Sequence, residues 1–402
     1  MLFFLKTVFF SRKIFIASIF LLIVFGYSPS FSQSVISGWV VDDNNQSILS
    51  ASVYLASTSM GASTDYNGYF HFKVSQQGKY ELIVSYVGYN KIRIPVLIGT
   101  DSVFSFKLQM QQENAQLGGV LILPDTTNRK RDFKEFKRIF LGETRNASLC
   151  EIKNPKDIFV YYDEAERTLV AYCKKPVIIE NRALGYNLFY EIEHFKAIKS
   201  GFDVNVDFSG STRFGEMADS ISKFNHEKLR ERSYQGSLMH LMKSLRSNRL
   251  KEEEWEVRIE YPEIRPDDFT INDKIRLHRK RHDWDSVNYY KEMKLLPIKS
   301  HLRSEPLHGN ELLDKNDHEL LVFNGKLLVI YMKERDERFQ PPKGKYYPYQ
   351  LSTILIEGGN RRIFENGYYE PQKDLYVSGY LAFSERVSEF LPYEYAPAKK
   401  KP

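Results

Sequence analysis

MGASTDYNGYFHF (60–72) is the stretch on which the fold of the first domain turns. Asp65, Asn67 and Gly68 are residues that close a tight turn, because their backbones tolerate positive φ. Phe70 and Phe72 then alternate with Tyr69 and His71, the period-2 pattern of a half-buried strand. Outward from this turn the pattern repeats. VISGWVV (35–41) runs into the turn cluster DDNNQS, and ASVYLAST (51–58) alternates with β-branched residues. YELIVSYVGY (80–89), KIRIPVLI (91–98) and SVFSFKLQ (102–109) follow. About seven short strands with turns every 8–12 residues predict a β-sandwich. The spacing leaves no room for helices, so parallel crossovers are not expected.

The residues at these positions carry a family resemblance. Gly38, Val40, Asp42, Leu49, Ala51 and Val53 fit the opening of the carboxypeptidase regulatory-like domain. Gly61, Thr64, Asp65, Gly68 and Phe70 fit its centre, and Tyr80, Leu82, Ser85, Tyr86, Gly88 and Tyr89 its close. The resemblance implies a transthyretin-like sandwich of the kind found in exported Gram-negative proteins, often ahead of TonB-dependent outer-membrane receptors. QLGGVLILP (116–124) resembles the strand that usually leaves it. A receptor is excluded by length, since a plug and a large barrel need several hundred more residues. Zinc carboxypeptidase activity is not supported. His308 and Glu311 form one HxxE with His318 beyond it, a match expected by chance at this frequency of His and Glu. No cofactor is predicted.

Composition sets the remaining bounds. The chain has 402 residues, 42% hydrophobic and 27% charged, which fits two folded domains rather than a disordered chain. Residues 1–32 read as a secretory signal: Lys6, Arg12 and Lys13, then apolar Ile14 to Gly26, then Ser30-Phe31-Ser32 before the expected cleavage at Gln33. Losing those three cations takes the net charge from +6 to +3, too balanced to suggest nucleic acid. No later stretch has the roughly 18 apolar residues of a membrane-spanning helix. The expected address is the periplasm or the outer membrane. There the two cysteines, Cys150 and Cys173, bridge only if a strand through Cys150 lies beside the return strand of a hairpin formed by IFVYY (158–162) and TLVAYC (168–173); otherwise they are two buried free thiols.

Residues 33–122 thus form the sandwich, 123–395 a larger β-rich α+β region, and 396–402 a disordered tail. The fold class is mainly β with some α. In the second region NRKRDFKEFKR (128–138) starts a helix, with Phe133, Phe136 and Phe140 on one face. Gly185 breaks PVIIENRALGYNLFYEIEHF (176–195) into two strands. Residues 223–249 are helical, with Leu238, Leu241, Met242 and Leu245 aligned. After them strands are expected throughout: a hairpin LLVFNGKLLVIYM (320–332) around Asn324-Gly325, then 349–357, 361–370 and 375–383, with ERVSEFLP (385–392) as a short closing helix. FKRIFLGET (136–144), IENRALGY (179–186) and RVSEFLPYEY (386–395) resemble exported proteins that join this sandwich to an uncharacterised C-terminal region.

The richest basic stretch is 223–251. Arg230, Arg232, Tyr234, His240, Arg246 and Arg249 make it a candidate face for an envelope protein, an anionic polymer or lipid head groups. Lys274 to His282 (KIRLHRKRH) is a second basic cluster. Glu180, Asn181 and Arg182 read as a turn or strand edge, with a buried pair or ligand-reading site as the alternative. Asp42, Asp43 and Asp65, the one candidate calcium set, match no loop motif, so no metal site is predicted. No nucleophile elbow, phosphate loop or dinucleotide fingerprint is present. The sequence therefore favours a non-enzymatic cell-envelope binding or docking protein, with the sandwich as spacer or interaction module. The alternative is a hydrolase of cell-surface glycan or peptide with its site in 123–395.

Overall fold

The computed structural model describes residues 34–113, 128–200, 203–218, 223–262, 268–295, 300–339 and 348–398. The signal at 1–32, the strand expected at 116–124 and the tail from Lys399 lie outside the described residues. None of the described helices is long and apolar enough to cross a membrane.

Seven strands form the sandwich: β1 (Ser34–Val41), β2 (Ser52–Leu55), β3 (Gly61–Ser63), β4 (Tyr69–Val74), β5 (Gly78–Ser85), β6 (Ile92–Ile98) and β7 (Val103–Gln109). They make two sheets, β4-β1-β7 and β3-β2-β5-β6. Ile36, Val40, Val53, Leu55, Phe70, Phe72, Leu82 and Val84 meet between them. The Thr64-Asp65 turn holds one end. The Thr64 hydroxyl donates to the Ile48 carbonyl at 2.6 Å and accepts from the Ala51 N–H at 2.8 Å. Asp65 Oδ1 accepts from the N–H groups of Asn67 and Tyr69. One expectation fails: β7 pairs with β1 in parallel. The crossover runs through the strands of the opposite sheet, so it needs no helix.

The second region begins with α1 (Arg129–Leu141) and continues through β8 (Cys150–Ile152), β9 (Ile158–Asp163), β10 (Thr168–Cys173), β11 (Val177–Asn181), β12 (Tyr186–Ser200) and β13 (Asp203–Glu216). The sheet order is β8-β11-β12-β10-β9, with β13 on β12. Phe136 and Phe140 of α1 pack their rings on Phe195 and Tyr190 at 5.0 and 5.1 Å. The bridge left open by the sequence is not formed, and both cysteines are free. Cys150 pairs with Asn181 in β11, whereas Cys173 pairs with Ile158 in β9, and two strands separate β8 from β10. Each thiol instead donates to a backbone carbonyl, Asn146 or Asp157.

Two helices follow, α2 (Lys223–Tyr234) and α3 (Leu238–Arg246), so the expected single helical region is broken. Gly236 at the break has φ +78, and a Cβ there would lie 2.3 Å from Gln350 Oε1. Ser237 restarts the helix by accepting from the His240 N–H. Next come β14 (Trp255–Pro262), α4 (Asp268–Lys280), α5 (Trp284–Leu295), β15 (Ser300–Leu302), β16 (Leu320–Leu321), β17 (Gly325–Arg335), β18 (Tyr349–Ile356), β19 (Arg361–Ile363), β20 (Tyr369–Glu370), β21 (Leu375–Gly379) and α6 (Tyr380–Ser384). The third sheet is β15-β14-β17-β18-β21, and β16-β19-β20 is a small fourth. Leu241, Met242 and Leu245 of α3 join its core, as their spacing predicts.

Three expectations in this part are corrected. The 268–295 stretch forms helices rather than strands. Asn324-Gly325 is no hairpin turn: β17 has β14 and β18 on its two sides, so Leu320–Leu321 pairs with β19 instead. The closing helix at 385–392 shrinks to a 3-10 turn at Val387–Glu389.

Candidate functional site

The candidate basic residues do not share one exposed face. Arg230 donates to the Leu184 carbonyl at 2.7 Å, pairs with Glu216 at 2.9 Å and stacks on the Tyr186 ring, clamping the turn between β11 and β12. Arg232 pairs with Glu337 at 2.8 Å, Arg246 with Glu319 at 2.8 Å and Arg249 with Glu253 at 2.6 Å. Tyr234 and His240 are buried. His240 lies among Tyr234, Trp255 and Tyr331, and burial pushes its pKa down to about 4. These groups tie helices to sheets. Glu180 and Arg182 pair at an exposed turn, while Asn181 is fully buried and donates to the Ser388 carbonyl. Asp42 and Asp65 accept from their own turn N–H groups, and no group of three or more potential metal ligands occurs among the described residues. His308 with Glu311 is a capped turn.

What the fold does build is a cleft. The sheet β3-β2-β5-β6 turns its outer face to the body, where Tyr54 and Ile83 point away from the sandwich core yet are 5% and 0% exposed. The Tyr54 hydroxyl donates to Glu191 at 3.2 Å, and Lys91 pairs with the same carboxylate at 2.8 Å. Ser57 and Thr58 exchange backbone hydrogen bonds with Thr212 and Phe214 of β13. The closing segment completes the fastening: Ser59 donates to Glu394, and Tyr393 N–H to the Ser57 carbonyl. The sandwich is therefore a wall of the body.

Between this wall and β13 lies an open space of about 910 Å³, lined by Lys79, Glu81 and Arg93 on one side and by Asn205, Ser209 and Ser211 on the other. Behind it is a smaller cavity of about 290 Å³ that reaches Thr144, Asn146, Ser233 and Glu334. Tyr369, Gln372, Glu385, Phe390 and Tyr393 border both.

Carboxyl groups converge on the inner cavity. Glu385 accepts from the Leu238 N–H at 2.6 Å, at the start of α3. Burial nevertheless pushes it up to about 7, with the Glu389 charge adding to the rise. Glu389 accepts from Asn146, Ser233 and Thr144, and Glu334 from Gln350; burial raises both. Glu337 is neutralised by Arg232. Ser384 presents a buried hydroxyl with no hydrogen-bond partner among the described residues. The site thus offers hydroxyls, amides and protonatable carboxyls to a polar ligand. Sequence reasoning passed over Glu385 and Glu389. Their signal was acids inside the apolar and aromatic run ERVSEFLPYEY (385–395), where charged side chains are rarely placed without a partner.

A pH effect follows. Because Glu385 binds its proton more tightly folded than unfolded, its contribution to stability is complete below about pH 4.5 and is lost as pH rises through about 7. The loss is at most about 3 kcal/mol. Thermal melts from pH 5 to 8 should show Glu385→Gln flattening that downward slope. A slope identical to that of the parent chain would contradict the assignment.

Residues 36–122 match the model of the CarboxypepD_reg-like domain, so the sandwich is a domain of that type. The match ends there. No curated protein matches the chain. Among solved structures, catechol 1,2-dioxygenase from Acinetobacter sp. ADP1 is 10% identical over 22% of this chain and 55% of that one, with a TM-score of 0.18. A type II cohesin–X-dockerin complex from Acetivibrio cellulolyticus is 24% identical over 28% of this chain and 76% of that one, TM-score 0.19. Phospholipase PlaB from Legionella pneumophila is 11% identical over 23% and 29%, TM-score 0.17. The chain thus spans about half the length of the dioxygenase it matches.

Proposed function

We propose that the protein is a non-enzymatic binding protein of the cell envelope, and that it holds a segment of an envelope polymer in the cleft between sandwich and body. The observation that carries this is the cleft itself. Its volume of about 910 Å³ suits a ligand of several units, and it meets the inner cavity at Glu385. Ser209, Ser211, Asn205 and Gln372 supply the donors and acceptors that a hydroxyl- or amide-rich chain needs. The signal-like residues 1–32 support the envelope address.

One observation favours the hydrolase as a second reading. A carboxyl still protonated near neutral pH, beside a second one, is what a general acid requires. Calorimetric titration with soluble envelope glycan and peptide fragments separates the two. Binding should weaken at least about tenfold in Ser209→Trp, which fills the cleft from an exposed position, while thermal stability stays unchanged. If no fragment binds the parent chain, the binding role fails. If fragments are cut by the parent chain and left intact by Glu385→Gln, the hydrolase replaces it.

A further inference from the structure

Helices α4 and α5 form an arm inserted between β14 and β15, strands that pair with each other. The helices pack chiefly on one another. Their fully buried apolar residues, Ile271 and Val287, belong to none of the three cores. The arm therefore has its own small contact and leaves most of its surface to solvent.

That surface carries a dense run of cations. Residues 274–282 hold Lys274, Arg276, Arg279, Lys280 and Arg281 and no acid. Arg276 is held by Asp273 at 2.8 Å. Lys274, Arg279, Lys280 and Arg281 have no ion pair among the described residues, whereas the arginines of 223–251 named above are all engaged. Apolar side chains stand among these cations. Leu277 is 41% exposed, and Trp284, just past the turn between the helices, is 55% exposed. Single exposed apolar residues are ordinary. At the tip Asp283 is held by His278 and the Ser286 N–H, and Asp285 adjoins Trp284. The exposed tryptophan and leucine thus stand beside three cations, Arg279, Lys280 and Arg281, that exceed the two acids, and together they form the pattern of an interfacial anchor. There the rings and methyls enter the head-group layer, and the cations meet its phosphates.

We propose that the tip of this arm docks the protein on a membrane surface by binding anionic phospholipid head groups through Arg279, Lys280 and Arg281, with Trp284 inserted beside them. Charge complementarity selects an anionic surface. The exposed Trp284 and Leu277 select lipid over a dissolved acidic chain, which would use the charges and leave the apolar area wet. The arm is distinct from the cleft, so the two sites can be occupied together.

Vesicle flotation with the full-length chain tests this, using phosphatidylcholine vesicles with and without phosphatidylglycerol. Binding should rise with anionic lipid and fall with salt. Each cation near such a surface is worth roughly fivefold, so Arg279→Gln/Lys280→Gln/Arg281→Gln should weaken anionic-vesicle binding by about a hundredfold. Trp284→Ala should lose the share of binding that survives high salt. All four positions are exposed, so both variants should melt as the parent chain does. Equal binding to neutral and anionic vesicles, or undiminished binding by the triple variant, would overturn the proposal. So would binding to a polyanionic protein or nucleic acid in the absence of binding to anionic vesicles.

Discussion

Gly38→Val is expected to unfold the sandwich and to take the cleft with it. A Cβ at Gly38 would lie 2.3 Å from the carbonyl oxygen of Phe106 and 3.0 Å from its carbonyl carbon and its nitrogen. All three are backbone atoms of β7, held in register opposite Gly38. No side chain can swing aside, so β1 and β7 must part. Parting them opens the layer formed by Ile36, Val40 and Leu108. Core overpacking of ordinary kind costs about 1–3 kcal/mol, and a backbone clash that breaks a ladder belongs to the tail above about 4 kcal/mol. Trp39 lies next to the substitution and reports the change by its fluorescence. Even alanine should fail here, because it brings the same Cβ. Gly99→Ala is the control: its Cβ would meet only Ser102 Oγ, at 3.5 Å, and stability should stay within about 0.5 kcal/mol. A Gly38→Val chain that melts with the parent would refute the close approach of β1 and β7.

The second large effect is expected at Arg361. Its side chain is 1% exposed and donates to four carbonyl oxygens: Gly359 at 2.9 Å, Glu357 at 2.7 Å, Lys373 at 2.8 Å and Asp374 at 2.7 Å. These carbonyls belong to the end of β18, the turn into β19 and the approach to β21. One guanidinium thus locks the third sheet to the small fourth one. Replacing a buried ion pair by apolar groups is often harmless, since both polar partners leave together. Here the acceptors are main chain and stay behind. Arg361→Leu should therefore cost about 3–5 kcal/mol, a fall of about 5–10 °C in the melting temperature of the body. Arg361→Lys should fall between, because an ammonium is a compact donor that does not span the fork. A shift below about 1 °C for the leucine variant would show that the four bonds are dispensable.

The path from sequence to cleft was legible where the chemistry is local. The turn at Asp65, Asn67 and Gly68, the alternation of Phe70 and Phe72, the helical face of Phe136 and Phe140 and the break at Gly185 all depend on neighbours within a few residues, and all are found as expected. Asn324-Gly325 shows the limit of that rule. The dipeptide favours a hairpin, but β17 had two partners from elsewhere, and a strand has only two edges. The basic run 223–251 shows it again. From sequence it is a charged face. In the fold, Arg232 meets the Glu337 carboxylate 105 residues on, and Arg246 meets Glu319 and also reaches Glu365, 119 residues on.

By itself, then, the sequence determined a sandwich of the CarboxypepD_reg-like type, a mainly β body behind it and the residues that turn each corner. Those features arise from backbone preference and from hydrophobic periodicity, which act over short separations. Only the tertiary structure decided that the sandwich is a wall rather than a separate bead. It alone placed Glu385 between two cavities, left Arg279, Lys280 and Arg281 without an ion pair among the described residues, and engaged Arg230, Arg232, Arg246 and Arg249. Each of these outcomes depends on which distant carboxylate, carbonyl or strand edge arrives first at a given side chain. Contacts such as Ser59 with Glu394, 335 residues apart, leave no trace in local composition.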